Sequence, residues 1–385
     1  MHCKFLDHGV AIGYQNVVRP CCSWQFDKSY KNNNNIQNVN FVSFHKSDDL
    51  NRARNDLKNN TWPASCKYCY DIESQGRQDS TRLNGNRSYN HYQNEDIVLE
   101  IRPGTVCNFA CQTCSPAASS KVFHYYKAAD ILKSSLNEFK NQTIVDDHYS
   151  ESFTHFEFLN SIAKNIKTVI LLGGEPFYDK HCLQFLNWWK TNTNAELISF
   201  TNGSILDTNF LSNLPNKMIL VFSLDAVDKQ AEYIRFGTNW QLVKENFHKA
   251  KTFDKVEVRV NITTSVYNFT YLDKLIDFLL EDWPSVVSFG PATEDIFQEK
   301  VIPPHMRSNI INKLNVSMEK LKQSNVEEGQ KWNAINALKS IVENLCKINY
   351  SQSLNNDFKI FVEKMDTVKK ISIADYCPDI LEYIG

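Results

Sequence analysis

No run of 18 apolar residues occurs anywhere in the 385 positions of this chain. A transmembrane helix needs about 20 predominantly apolar residues, so a membrane span is not expected. The stretch Met1 to Val18 carries His, Lys and Asp early and lacks the apolar core of a secretory signal. Charge of one sign is lacking as well: 42 Lys and Arg stand against 44 Asp and Glu. No global field therefore draws the protein to nucleic acid or to an anionic membrane, although a local basic pocket for a nucleotide-derived ligand is compatible with that balance. Cysteine, by contrast, is plentiful. Eleven are present, an odd number, and without a secretion signal they point to the cytoplasm and to metal rather than disulfides. A hydrophobic share of 42% and a charged share of 22% are ordinary for a soluble globular protein, and the length suggests two or three domains.

Three of the cysteines fall in Cys107-Asn108-Phe109-Ala110-Cys111-Gln112-Thr113-Cys114, directly after the strand-like run Ile97 to Arg102. Thiols this close cannot all pair as disulfides. Three thiolates on one loop can hold three corners of an iron–sulfur cube and leave the fourth iron open to a small molecule. Two other readings stand beside that one. Cys111-x-x-Cys114 is half of a zinc site, which usually shows two such pairs, and a redox dithiol of the same spacing would leave Cys107 idle.

From Asp96 onward, apolar runs alternate with amphipathic stretches, the pattern of a parallel α/β sheet. Val98, Leu99 and Ile101 mark a first strand, with a helix expected over Lys121 to Phe139 and a polar insertion with a further helix over Asn141 to Asn160. Thr168 to Leu172 is the second strand and ends in Gly173-Gly174-Glu175-Pro176; His181 to Lys190 follows as a helix with Leu183, Phe185, Leu186 and Trp189 inward. Leu197 to Phe200 ends at Thr201-Asn202-Gly203, and Met218 to Leu224 ends at Ser223-Leu224-Asp225. Helical stretches around Glu232 and Val243 lead to a fifth strand, Val256 to Thr264, where Asn261 and Thr263 share a face. Tyr271 to Leu280 is its helix, and Val286 to Phe289 the sixth strand. Six βα units with polar strand ends describe a partial (β/α)6 TIM-like barrel, and active sites in such barrels sit at the C-terminal ends of the strands. Beyond Pro303 the chain reads as helices over Met306 to Leu321, Gln330 to Leu345 and Asp357 to Val368, with Cys377-Pro378-Asp379 unassigned. This extension caps the barrel bottom, closes its open side or covers the substrate; sequence does not choose.

The first ninety or so residues form an irregular, cysteine-bearing unit. Cys3 is followed by Gly9, Gly13 and the pair Cys21-Cys22, then by a hydrophilic tract through Lys31 and Asn32 to Asn35 that reads as a surface loop. Cys66-Lys67-Tyr68-Cys69 comes next, ahead of Glu73, Gly76, Ser80 and Arg82. One thiolate from Cys3, one from Cys21 or Cys22, and two from Cys66 and Cys69 make four ligands, a set that suits a [4Fe–4S] cluster or zinc equally. The expected division is 1–94, 95–300 and 301–385.

Together the cysteine spacing and the strand-end motifs resemble the radical S-adenosylmethionine (SAM) enzymes over roughly residues 95 to 295. The resemblance implies that Cys107, Cys111 and Cys114 hold a [4Fe–4S] cluster with an open iron that binds SAM. Gly173 and Gly174 would contact the SAM amino group through backbone while Glu175 holds the turn. Thr201 and Asn202 match the ribose-binding position, Ser223 a polar SAM contact, and Arg235, in Tyr233-Ile234-Arg235-Phe236-Gly237, an arginine aimed at the SAM carboxylate. Asn261 and Thr263 are candidates for SAM or substrate contact. On the residues alone, Gly173 to Pro176 is also a plain βα turn, Asp225 a helix cap, Arg235 an exposed salt bridge, and Asn261 and Thr263 satisfied core groups. Many family members have an aromatic residue before the third cysteine; here it is Thr113, so adenine contact would come from backbone or elsewhere. Residues 1 to 90 look like the "twitch" auxiliary-cluster module, implying a second [4Fe–4S] cluster, although that module more commonly follows the barrel.

The implied activity is reductive cleavage of SAM to a 5′-deoxyadenosyl radical. Hydrogen abstraction from a polar substrate then leads to oxidation, epimerisation or rearrangement. A reductant such as flavodoxin or ferredoxin is implied, and small metabolites, nucleotides, sugars and peptides remain open as substrates. No separate peptide-binding domain is evident, which disfavours a long peptide. A metal-stabilised binding module and a two-cluster electron carrier are the rival classes. Of the remaining thiols, Cys182 reads as core, Cys377 has more freedom and Cys346 lies outside both ligand sets, and Tyr89, Tyr92, Tyr125 and Tyr126 read as packing or surface groups.

Overall fold

Pairing of parallel strands organises the chain. The computed structural model describes residues 1–13, 17–25, 44–74, 76, 78, 80–93, 95–132, 136 and 156–384. The strands are β1 (Gly9–Ile12), β2 (Val18–Arg19), β3 (Ile97–Ile101), β4 (Ile166–Leu171), β5 (Glu196–Thr201), β6 (Met218–Ser223), β7 (Val256–Thr264) and β8 (Val286–Pro291). They form one eight-stranded sheet in the order β2-β1-β3-β4-β5-β6-β7-β8. Every neighbour pair is parallel except β1 with β2. The α/β class, the six βα units from β3 to β8 and the helical C-terminal region match expectation. β1 and β2, only four and two residues long, were not legible; they draw the start of the N-terminal segment into the same sheet, beside β3.

β7 shows why the sheet has an apolar and a polar face. Val258, Val260 and Ile262 are buried, while Glu257, Arg259, Asn261 and Thr263 alternate with them and stay half-exposed. The apolar row packs toward the helices, and the polar row faces the interior on which strand-end chemistry converges. Each fully buried Val, Leu, Ile or Phe in such rows contributes about 1.5–3 kcal/mol. That burial holds the strand ends in position.

One expectation is corrected. The helix expected over Lys121 to Phe139 spans only Ser120–Ala128 and is followed by Asp130 at φ +52°, a left-handed conformation that does not continue a helix. Most of the insertion beyond it lies outside the described residues; its helix stands at Phe156–Ile162. The tract from Lys31 to Asn35 also lies outside them.

The C-terminal helices run over Pro304–Gln323, Glu328–Lys347 and Gln352–Lys369, then Ile373–Tyr376 and Pro378–Ile384. The first packs on Leu272–Glu281, the second on β8, and the third on the turns at 295–301 and on Ser120–Ala128. The extension therefore lies along the open edge of the sheet and reaches across to the first barrel helix. No helix among the described residues is long and apolar enough to cross a membrane.

Candidate active site at the strand ends

The cysteine loop after β3 is held from three directions. Towards β4, the Gly174 amide donates to the Gly104 carbonyl at 3.2 Å and the Glu175 amide to the Val106 carbonyl at 3.0 Å. Gly173 sits at φ +139°, and a Cβ on Gly174 would lie 2.0 Å from the Val106 carbonyl oxygen. Only glycine allows this approach. The Gly174 amide is engaged by the cysteine loop. Asp179, whose side chain accepts from the His181 amide and so caps the helix Lys180–Asn192, also accepts from the Val106 amide at 2.9 Å. Towards the end of β6, the Ala110 and Gln112 amides donate to the Phe236 and Ile234 carbonyls, both at 2.8 Å. From the C-terminal extension, Lys369 Nζ donates to the Ala110 carbonyl and to Gln112 Oε1, both at 2.9 Å.

Cys111 is buried, and Cys107 and Cys114 are half-buried. Burial raises the pKa of all three thiols, that of Cys107 to about 12, and Cys111 and Cys107 raise Cys114 further. The Arg235 guanidinium opposes this at each thiol, and Lys369 does so at Cys111. The three thiols therefore sense one another and one shared cation; burial keeps them protonated in the metal-free chain, and a bound metal would displace those protons. Arg235 Nη1 pairs with Asp225 Oδ2 at 2.8 Å, and its Nε is buried without a partner. Asp225 does not cap the following helix as one reading expected. Its oxygens are taken by Arg235 and by the Thr263 amide at 2.8 Å, and the cap position falls to Val227. The Arg235 pair is buried, not exposed.

Glu175, 1% exposed, joins β4 to β5: Oε1 accepts from the Thr201 hydroxyl and Oε2 from the Asn202 amide, each at 2.7 Å. Burial lifts its pKa to about 7, with the Asn202 and Thr201 bonds pulling the other way. The Asn202 side-chain Nδ2 donates to Asn108 Oδ1 at 2.8 Å and stands 3.8 Å from Cys107 Sγ. Ser223 and Asn261 are paired in register across β6 and β7, and Asn261 Oδ1 accepts from the Ser288 hydroxyl of β8 at 3.1 Å. The strand-end candidates thus form one connected group around the cysteine loop, with Ser223, Asn261 and Ser288 as a polar row on the sheet. Thr113 is half-buried.

The second thiol set gathers where the chain enters β1. Cys3, Cys21, Cys66 and Cys69 line one cavity, and Cys22 is not among the residues around it. Burial raises the pKa of Cys21, and Cys3, the adjacent Cys22, Cys69 and Cys66 raise it further, so the cavity's four thiols lie within electrostatic reach of one another. Cys22 is exposed outside that cavity, with its thiol 3.8 Å from the Ser23 hydroxyl; desolvation of the thiol first and then Glu100 of β3 raise its pKa. Among the described residues no group of three or more His, Cys, Asp and Glu is arranged to hold a metal ion. A cube makes a different demand, since each thiolate binds its own iron and the donors face one space instead of one point. Four thiols around a cavity, and three on one loop beside a cation, fit that donor chemistry.

Cys182 is fully buried, as expected; Cys377 is buried too, against the freedom expected of it, and Cys346 is exposed. Tyr89, Tyr92 and Tyr126 are packing groups, and Tyr92 Oη bonds the Thr168 hydroxyl at 2.6 Å. Lys369, Gln112, Asn108 and Asp179 were not singled out from sequence. Asp179 carried a signal, as an N-cap residue before an amphipathic run. Lys369 carried none.

No protein-family profile and no curated protein sequence matches the chain. Among solved structures, native anSMEcpe with bound AdoMet is similar at 18% identity over 57% of this chain and 60% of that chain, with a TM-score of 0.39. Streptococcus suis SuiB bound to S-adenosylmethionine is similar at 16% identity over 63% and 49%, TM-score 0.38. TYW1 with a lysine-pyruvate adduct bound is similar at 16% identity over 66% and 82%, TM-score 0.37. The chain spans between about half and three fifths of the lengths of the first two.

Proposed function

We propose that the chain is a radical SAM enzyme, with a cluster at Cys107, Cys111 and Cys114 and an auxiliary cluster at Cys3, Cys21, Cys66 and Cys69. The observation that carries this reading is the convergence of the three-thiol loop with Gly173–Glu175, Thr201–Asn202 and Asp225–Arg235 at the C-terminal ends of successive parallel strands. When bound, a [4Fe–4S] cluster with an open iron supplies the electron that cleaves SAM to methionine and a 5′-deoxyadenosyl radical. The chain's own residues do the rest. Glu175 keeps the ends of β4 and β5 together, and Asn202 ties β5 to the cysteine loop. Arg235 holds positive charge beside the thiols, and the C-terminal helices exclude water along the open edge.

On this reading residues 1–94 carry the auxiliary cluster and lend β1 and β2 to the sheet, 95–300 form the rest of the barrel and 301–385 its cover, in a cytoplasmic protein served by a flavodoxin- or ferredoxin-like reductant. The substrate is polar, and the outcome is oxidation, epimerisation or rearrangement. The test is anaerobic reconstitution, reduction with dithionite and assay of 5′-deoxyadenosine from SAM. Production lost in Cys111→Ala supports the reading. Protein that takes up zinc without sulfide and binds no SAM sinks it and leaves a metal-stabilised binding module.

A further inference from the structure

The C-terminal extension makes one contact with the cysteine loop that packing alone does not explain. Lys369 is the last residue of the helix Gln352–Lys369, which stops there because Lys370 turns left-handed at φ +56°. Its side chain runs inward and is 5% exposed. Nζ bridges the Ala110 carbonyl and Gln112 Oε1, the two oxygens on either side of Cys111 in sequence. The rings of Phe236 and Tyr125 lie 5.2 and 5.8 Å from the same nitrogen.

A buried ammonium is costly unless something balances its charge. Here both hydrogen-bond acceptors are neutral oxygens, and the aromatic faces supply only a modest attraction. Burial pulls the Lys369 pKa down to about 7, while Cys111, Asp366 and Cys114 push it back up; Asp366, one turn earlier on the helix, acts only through space, because its oxygens accept from the Tyr233 hydroxyl and from the Ile373 amide, each at 2.7 Å. A methionine would fill the same space without the penalty. The group that makes a cation worthwhile at this place is the anionic thiolate set of the adjoining loop.

We propose that Lys369 is a positioning residue for the cysteine loop: it clamps Ala110 and Gln112 and, in its protonated form, places a positive charge beside Cys111 and Cys114. This rests on the cluster reading above. The clamp couples the C-terminal helix to the cluster loop, so the cover over the open edge and the loop's geometry are set together. The charge stabilises the more reduced, more negative state of a thiolate-bound cluster, because reduction potentials follow net charge and nearby donors.

The test compares full-length wild type with Lys369→Met, Lys369→Arg and Lys364→Met. Lys364 lies on the same helix and bonds the Ala129 carbonyl at 3.2 Å, away from the cysteine loop. In reconstituted protein, the midpoint potential is read by a redox titration followed by electron paramagnetic resonance, and iron loss to a chelator is timed. Lys369→Met should shift the midpoint to more negative values and release iron about tenfold faster, the loss expected for charge-assisted hydrogen bonds. Lys369→Arg should keep the midpoint close to wild type, and Lys364→Met should change neither. A wild-type midpoint and wild-type iron release in Lys369→Met overturn the proposal. Where Lys369→Met does not fold, Lys369→Gln removes the charge, retains a donor and carries the same potential test. If wild type takes up no iron–sulfur cluster, the functional reading fails, and hydrogen exchange in the metal-free protein decides the clamp. Faster exchange of the 110 and 112 amides in Lys369→Met alone supports it; unchanged exchange overturns it.

Discussion

Arg235 and Asp225 form a buried ion pair, 2.8 Å between guanidinium and carboxylate, at the end of β6. The same carboxylate accepts the Thr263 amide of β7, and the same guanidinium faces the Cys111 thiol. One pair thus joins two strand ends to the cysteine loop. Arg235→Met leaves Asp225 buried without its counter-charge and should lower unfolding stability by about 3–5 kcal/mol. Urea unfolding measures this. A variant that also carries Asp225→Leu should recover part of the loss, because no stranded charge then remains.

Glu175 carries a pH dependence. Burial raises its pKa from the model-peptide value of 4.5 to about 7, against the Asn202 and Thr201 hydrogen bonds. Between those two values the folded chain holds the proton and the unfolded chain has released it. The contribution of this group is therefore full below about pH 4.5 and is lost as pH rises through about 7. Glu175→Gln should flatten that part of the pH–stability curve while costing about 1–3 kcal/mol through the poorly matched Asn202 amide. Thermal unfolding of both proteins across this range is the measurement.

Cys21 and Cys22 should separate cleanly. In a background with Cys107, Cys111 and Cys114 all replaced by alanine, reconstituted protein should retain about four irons per chain, one cube's worth. Cys21→Ser should abolish that iron, because Cys21 lines the four-thiol cavity. Cys22→Ser should leave it intact, because that thiol is exposed and does not line the cavity. Iron and acid-labile sulfide content report the result.

Gly174→Ala places a methyl group 2.0 Å from the Val106 carbonyl oxygen, in backbone that cannot swing aside. Overpacking of this kind costs about 1–3 kcal/mol, and it should also lower iron uptake by the cysteine loop. Gly290→Ala, whose methyl group meets nothing within 4 Å, should match wild type in both melting temperature and iron content.

Much of the barrel was readable before any coordinates. Val256 to Thr264 was expected as a strand from its alternation and is one over the same residues. β1 and β2 were missed because four and two residues are too short to show a period. The helix after the cysteine loop was drawn too long because helical propensity continues past Ala128, whereas the chain turns left-handed at Asp130. At the site, Gly173, Glu175 and Asn202 stood out as residue types at strand ends, and Arg235 through the resemblance of Tyr233 to Gly237. Their mutual bonds did not, since nothing in the pattern near Asp225 distinguishes a helix cap from the partner of a buried arginine.

Alternation, the glycine pair and the three cysteines on one loop are local facts. Each reflects what a short stretch of backbone can adopt and which face it must bury, so each is visible in a window of a few residues. The facing of Cys21 against that of Cys22 depended on which of two adjacent side chains met the cavity once β2 had paired with β1. The clamp from Lys369 to Ala110 spans 259 positions. A contact at that separation is set by how whole helices pack on the finished sheet, and it leaves no periodicity along the chain from which it could have been read.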